Sequence, residues 1–164
     1  MQNDNETSRI GSQAQDLLRG GSIGNALIAA SGRVETPIPV QTPGGQLHSW
    51  FVPVTVGNHL AGFFQFLPEG TFMRFSSFQR RANDLAGCPA AADWLDLERI
   101  QERAAVHLQP DETSGKPFLT YDRTPDRLLW AVPLTNARGK LRLVYVAGQS
   151  VYVPPPDTGS ESYG

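Results

Sequence analysis

The sequence has one cysteine, a small net charge and no long apolar run. Since Cys88 is the single cysteine among 164 residues, no disulfide can form within the chain. The formal net charge of −2 provides no general attraction to nucleic acid or to an anionic membrane surface. No apolar run approaches the length of a membrane span, and the polar start MQNDNETSR has no signal-peptide core. We therefore expect a protein of a reducing compartment, the cytoplasm, with no nucleic-acid partner and no membrane association.

Patterns that carry catalysis or bind metals are also scarce. The spacing of His48, His59 and His107 does not indicate a metal site, and Cys88 has no CxxC partner. His48 and Ser49 are neighbours, and neighbours on a regular strand point to opposite faces, which argues against a nucleophile–base pair. The sequence therefore predicts a protein that is not an enzyme and that uses no cofactor and no metal.

The sequence does contain an internal repeat. The stretch SWFVPVTV, residues 49–56, returns as LWAVPLTN, residues 129–136, eighty positions further on. The same offset places Pro37-Ile38 over Pro117-Phe118 and FFQF, from Phe63, over LVYV, from Leu143. Self-similarity at one fixed period is typical of a duplicated supersecondary unit. The alternative is two unrelated strands that share a Trp-x-Val-Pro motif.

Each copy is predicted to be one helix followed by three or four antiparallel strands, which in the first copy include IPVQ and LHSWFVPVTV. In the second copy Asp93 stands where a helix N-cap would, and apolar residues then recur at helical spacing. In the first copy Ser12 and Gln15 form a capping-box pattern, and Gly20-Gly21 is expected to split the helix. The predicted fold class is α+β, with two tandem α-β-β-β(β) repeats whose antiparallel sheets are each packed by one helix.

The predicted boundaries divide the chain into four parts. Residues 1–11 are expected to be a disordered N-terminal arm, because they are polar and have no apolar period. The first repeat is assigned to residues 12–82 and the second to residues 83–153, and together they are expected to form one compact domain. Residues 154–164 are expected to be a disordered tail, since a proline run is followed there by small polar residues.

The turn in the first hairpin determines which side chains are expected to share a face. With Gly57-Asn58 as a two-residue turn, Val56 faces His59 and Trp50 faces Gln65. One face of the first copy is then expected to carry Trp50, Val52, Val54 and Phe63. The corresponding face of the second copy is expected to carry Trp130, Val132, Leu134, Leu143 and Tyr145.

The opposite face of the first hairpin is expected to be apolar as well, although a single-layer sheet usually has one polar face. The residues predicted to form a partner surface there are Phe51, Phe64, Phe66, Phe75, Arg80 and Arg81. Three interpretations remain open at this point. The halves pack sheet against sheet, or this face binds another protein or a second copy, or it lines a small-ligand pocket.

A helix, a Trp-containing strand, a turn, a strand ending near glycine and a short last strand together resemble the PepSY domain, here in tandem. The segments that carry the resemblance run from Trp50 to Gly70 and from Trp130 to Tyr152. The resemblance implies a module that regulates a peptidase or binds a partner without catalysis. We therefore expect non-catalytic binding of a protein partner, or self-association. The alternative is a small-ligand-binding or catalytic pocket between sheet and helices.

Overall fold

The structure, a computed structural model, describes residues 2–154, and their side chains from residue 5 onward. The first half contains α1 (Gln2–Arg19), α2 (Ala26–Ser31), β1 (Arg33–Val34), β2 (Ile38–Gln41), β3 (Leu47–Val56), β4 (His59–Phe66) and β5 (Phe72–Ser77). The second half contains α3 (Ala91–Leu95), α4 (Leu97–Ala104), a 3₁₀ helix (Ala105–His107), β6 (Thr113–Ser114), β7 (Phe118–Tyr121), β8 (Leu128–Thr135), β9 (Leu141–Ala147) and β10 (Ser150–Tyr152). Among the described residues, no helix is both long enough and apolar enough to cross a membrane.

One large, mostly antiparallel sheet organises the molecule. Its strand order is β10-β9-β8-β7-β2-β3-β4-β5, with β1 paired to β3 and β6 paired to β8. Only the central pair, β2 with β7, is parallel within this path. The α+β class is thus confirmed, and the halves meet edge to edge in one sheet rather than sheet against sheet. Each half has two α-helices, not the single helix that was predicted.

The first hairpin contains a β-bulge that overturns the predicted pairing of its strands. Val56 faces His59 across the Gly57-Asn58 turn, as expected. The pairing then passes from Thr55↔Leu60 to Val54↔Gly62, so one extra residue of β4 lies between the two pairs. A one-residue shift in register moves every later side chain to the other face of a strand.

The shift changes the composition of both faces of the sheet. Trp50 faces Phe66 rather than Gln65, so Phe64 and Phe66 lie on the Trp50 face. Phe63 lies on the opposite face beside Phe51, at a ring-centroid distance of 4.7 Å. In the second half Trp130 faces Val146 and Val132 faces Val144, so Leu143 and Tyr145 are not on the Trp130 face. The predicted face assignments were therefore wrong for Phe63, Phe64, Phe66, Leu143 and Tyr145.

Two helical layers cover opposite faces of the sheet. Ile10, Ala14 and Leu18 recur at helical spacing along α1 and belong to one core with Trp50 and Phe64. On the other face, the core that contains Ile100 and Ala104 of α4 also contains Trp130, Phe51 and Phe63. The second core therefore includes side chains of both halves.

Several predicted helix boundaries were wrong. Residues 2–11 are not a disordered arm but the first part of α1, whose Ile10 is buried, and Ser12 lies within this helix. The predicted split at Gly20-Gly21 is confirmed, since α1 ends at Arg19. The second helix is broken at Asp96, which caps α4 in place of the predicted Asp93. Of the predicted tail 154–164, residues 155–164 lie outside the described residues.

Candidate functional site

A cleft opens at one end of the seam between β2 and β7. We call it the seam cleft, and its volume is about 610 Å³. It is lined by residues 35–39, Gln41, Pro53, Leu95, Leu97, residues 116–119 and Trp130. It thus takes residues from both halves and lies between the sheet and the α3–α4 segment. Most of its lining is apolar, as in many small-molecule and peptide sites.

Prolines account for the opening of the cleft. The parallel strands are paired at Val40↔Leu119. On the amino-terminal side of that pair stand Pro37, Pro39 and Pro117, none of which has a backbone N–H to donate to a neighbouring strand. No β2–β7 pair is formed on this side of Val40↔Leu119, where three residues lack a donor. The cleft occupies the space where the pairing stops.

The helix break at Asp96 forms the second wall of the cleft. Asp96 has an extended backbone, with φ −91° and ψ 102°, and its side chain accepts hydrogen bonds from the N–H groups of Glu98 and Arg99. In an unbroken helix, Leu95 and Leu97 would point in different directions, whereas residues on either side of an extended residue point the same way. The break thus allows both leucines to line the cleft.

The same break fixes the position of Trp130. Since α3 ends at Leu95, the carbonyl of Trp94 has no continuing helix to pair with, and it accepts a hydrogen bond from the indole Nε1 of Trp130 at 2.9 Å. The indole is buried and forms part of the cleft wall. One capping residue, Asp96, therefore organises three of the apolar side chains in the cleft.

Among the described residues, the charged side chains that line the cleft are Glu35 and Lys116. The hydroxyl of Thr55 donates to Oε2 of Glu35 at 2.6 Å, and the Glu35 N–H donates to the carbonyl of Pro53 at 2.9 Å. Arg33 approaches the same Oε2 only to 3.6 Å, and its side chain is 81% exposed against 30% for Glu35. Lys116 is exposed. Glu35 is thus a fixed, partly buried carboxylate whose counter-charge among the described residues, Arg33, is weak.

Two further grooves meet the seam cleft at Glu35. One, of about 480 Å³, runs between α1 and residues 34–37. The other, of about 400 Å³, extends past Thr55 and the Gly57-Asn58 turn to Leu95. Glu35 therefore borders three cavities.

The residues predicted to form a partner surface do not form one exposed patch, although Phe64, Phe66 and Phe75 pack together in the core under α1. Phe51, Phe64 and Phe66 are buried, and Phe51 lies on the opposite face of the sheet from the other two. Phe75 is half-buried against Phe64, with ring centroids 4.9 Å apart. The arginines at positions 80 and 81 are exposed. Of these six residues, the phenylalanines at positions 51, 64 and 66 are core residues of this chain.

His48 and Ser49 lie closer than a regular strand allows. The β2–β3 pairing shifts between Val40↔Ser49 and Gln41↔Leu47, so His48 is the extra residue of a bulge. Bulges redirect side chains, and here Nδ1 of His48 lies 2.9 Å from the hydroxyl of Ser49. The argument from opposite faces was therefore wrong. Ser49 is nevertheless fully buried and accepts a second hydrogen bond from Gln65, so its hydroxyl is not accessible to a substrate.

The other buried charged groups have structural partners in the second half. Asp93 is paired with Arg103 at 2.7 Å and with Arg99 at 3.2 Å. Hydrogen bonds from Arg142 lower the pKa of Glu112 from 4.5 to about 2. Among residues 5–154, no group of three His, Cys, Asp or Glu side chains is arranged to hold a metal ion. These ion pairs connect elements of the second half and do not line the seam cleft.

Sequence reasoning did not identify Glu35 or Lys116 as site residues. The signal that was available is the correspondence of Pro37 with Pro117 at the eighty-residue offset, which placed a proline just before each seam strand. Comparisons of this chain with protein-family models, with curated proteins and with solved structures find no match.

Proposed function

We propose that this chain is a non-catalytic binding module whose seam cleft holds a short extended segment of a partner protein. The observation that carries this proposal is a largely apolar cleft lined by both halves of the sheet. Contact with apolar side chains provides affinity without any reactive group, as expected of a binding site rather than an active site.

The length of the cleft favours an extended segment. Its lining follows the chain from Glu35 to Gln41. Six extended residue steps span about 20 Å at roughly 3.3 Å per residue. A peptide of about six residues would match that length and would place alternate side chains in the apolar interior.

We further propose that the two halves are tandem repeats, in keeping with the PepSY-like resemblance. Two observations support this view: Arg33 pairs with Thr55 and Thr113 pairs with Thr135, at an offset of eighty residues. Likewise β2 and β7, which begin at Ile38 and Phe118, occupy corresponding places beside β3 and β8. In this proposal, modulation of a peptidase is one form that the binding would take.

A panning experiment tests the peptide-binding function. A random hexapeptide library on phage is selected against the wild-type chain, and fluorescein-labelled copies of the selected peptides are titrated by fluorescence anisotropy. Ile38→Asp and Leu97→Asp each place a charge on one wall of the cleft, and we expect each to weaken binding by at least about tenfold. Val106→Asp is the matched control, because Val106 is exposed and lies outside the cleft.

The folding of each variant and its peptide binding together decide whether the proposal fails. Circular dichroism first establishes that each variant is folded. If no peptide is enriched, or if the selected peptides bind both cleft variants as tightly as the Val106→Asp control, the seam cleft is not a peptide site.

A small apolar ligand is the second candidate occupant, and the cleft volume of about 610 Å³ favours it because drug-sized ligands occupy sites of this size. The neutral dye N-phenyl-1-naphthylamine tests this alternative. The small ligand would be favoured over the peptide by two results together. One dye binds per chain, saturably, and this binding is lost in Ile38→Asp; and the library yields no peptide.

A further inference from the structure

We propose that the segment bound in the seam cleft carries a lysine or arginine side chain whose cationic group pairs with Glu35. This inference rests on the proposed peptide-binding function and adds the chemical class of the recognised residue. The partner is thereby identified as a protein that presents a basic residue within an otherwise apolar extended segment.

The negative charge of Glu35 is only weakly compensated by the described residues around it. Its Oε2 atom accepts a hydrogen bond from Thr55, which fixes the carboxylate in place. The ion pair with Arg33 is long, at 3.6 Å, and mostly solvated, so it contributes little. A carboxylate that is held rigidly beside an apolar cleft interacts more strongly with a ligand cation than one free in water.

Prolines form part of the cleft walls and present acceptors without donors. Among the described residues, four of those that line the cleft are prolines, at positions 37, 39, 53 and 117. None has an N–H, and the carbonyl of Pro53 already accepts a hydrogen bond from the N–H of Glu35. A ligand group rich in donors therefore fits these walls better than an acceptor does. Ammonium has three N–H donors and guanidinium has five.

Glu35 also has open space beside it for a long side chain. Glu35 borders the seam cleft and both neighbouring grooves. A long basic side chain whose apolar stem lies along the cleft can therefore reach Glu35 with its cationic end.

Lys116 does not offset this preference. It is exposed and makes no hydrogen bond or ion pair with the described residues, so its ammonium faces water. A hydrated surface charge on a flexible stem selects a partner less strongly than a carboxylate fixed by its neighbours.

The test compares the peptides selected by three proteins at the same ionic strength. The hexapeptide library is panned against the wild type, Glu35→Gln and Glu102→Gln, where exposed Glu102 on α4 provides the same chemical change outside the cleft. Glutamine can keep the hydrogen bond with Thr55, so the substitution removes the charge and little else. The best wild-type peptide is then compared with a copy that has norleucine in place of its basic residue.

We expect lysine or arginine to be enriched at one position for the wild type and for Glu102→Gln but not for Glu35→Gln. Loss of the pair should weaken binding about tenfold in the wild type with the norleucine peptide, and should change nothing further in Glu35→Gln. Cleft-binding peptides without a basic residue, or an equal preference in Glu35→Gln, would overturn this inference alone. A library that yields no binder would overturn the proposed function and this inference with it.

Discussion

Trp50 and Trp130 stand eighty residues apart and are equally buried, at 3% exposure, but their indole N–H groups differ. Trp130 donates to the carbonyl of Trp94, whereas the N–H of Trp50 has no hydrogen-bond partner among the described residues. The difference follows from the helices above them. The segment over Trp130 is broken at Asp96 and frees a carbonyl, while α1 over Trp50 is continuous.

We expect Trp130→Phe to destabilise the protein more than Trp50→Phe does, by about 1 kcal/mol. Both substitutions remove similar apolar volume from a buried site, but only Trp130→Phe breaks a hydrogen bond and leaves a carbonyl unpaired. Urea unfolding followed by circular dichroism measures the difference. Equal losses, or a larger loss for Trp50→Phe, would show that the Trp130–Trp94 hydrogen bond contributes no net stability.

From the ion pair of Glu112 with Arg142 we predict that the free energy of unfolding decreases at acid pH. Because Arg142 lowers the pKa of Glu112 from 4.5 to about 2, the ionised form is favoured in the folded state. The corresponding stabilisation is present above about pH 4.5 and is lost as the pH falls toward 2. We expect Glu112→Gln to be less stable at neutral pH and to have a smaller slope over this range.

Urea midpoints between pH 2 and 7 measure the effect. Glu98→Gln is the control, since Glu98 is exposed and should keep the wild-type slope. An unchanged acid slope in Glu112→Gln would mean that other carboxylates cause it.

At the scale of elements, local sequence patterns predicted strands better than registers. The segments IPVQ and LHSWFVPVTV coincide with β2 and β3, and Gly57 has the positive φ of 58° that its tight turn requires. The bulge in β4 was not predictable, because it depends on tertiary contacts. In the shifted register Phe64 and Phe66 pack under α1, and Gly62 lies against Phe75 and Ser76 of β5, where a Cβ would not fit.

The bulge predicts opposite outcomes for two aspartate substitutions on adjacent strands. Phe64 is fully buried, whereas Phe72 is 36% exposed. We expect Phe64→Asp to unfold the chain, because a buried unpaired carboxylate costs several kcal/mol. Phe72→Asp should remain folded. Thermal unfolding and the solution mass by light scattering measure both variants, and a folded, monomeric Phe64→Asp from a dimeric wild type would restore Phe64 as a self-association residue.

The helices were harder to predict than the strands, for an identifiable reason. In α1 the buried residues Ile10, Ala14 and Leu18 stand among mostly polar positions, and Gly11 within the helix weakens the helical signal. In the second half, both Asp93 and Asp96 fit an N-cap. Asp93 is instead buried in ion pairs with Arg99 and Arg103, a tertiary contact that local sequence does not encode.

At the scale of the molecule, the seam could not be predicted. It joins Val40 to Leu119, which are far apart in sequence, and no local pattern specifies a parallel contact between two edges. The seam cleft depends on that contact. Glu35 and Lys116 could therefore not be predicted as site residues, even though the sequence comparison aligned Pro37 with Pro117.

A core shared by both halves predicts that they unfold together. The same cluster contains Phe51 and Phe63 from the first half and Trp130 and Val144 from the second. We expect scanning calorimetry to show one transition with a calorimetric to van't Hoff enthalpy ratio of about 1. Two resolved transitions, or a ratio well above 1, would mean that the halves are independent folding units.

The pairing of β2 with β7 also limits how far this architecture can grow. In the proposed tandem-repeat arrangement, each half contributes its corresponding strand to the contact, so the edges that join the two halves are paired with each other. In a head-to-tail array, the outermost units still expose one of the two contact surfaces, so further units can be added. A contact between two like edges uses both edges and stops at two units. The outer edges of the sheet are β5 and β10. Neither is a strand of the kind that joins the two halves, so a third unit could not pair with this chain in the same way.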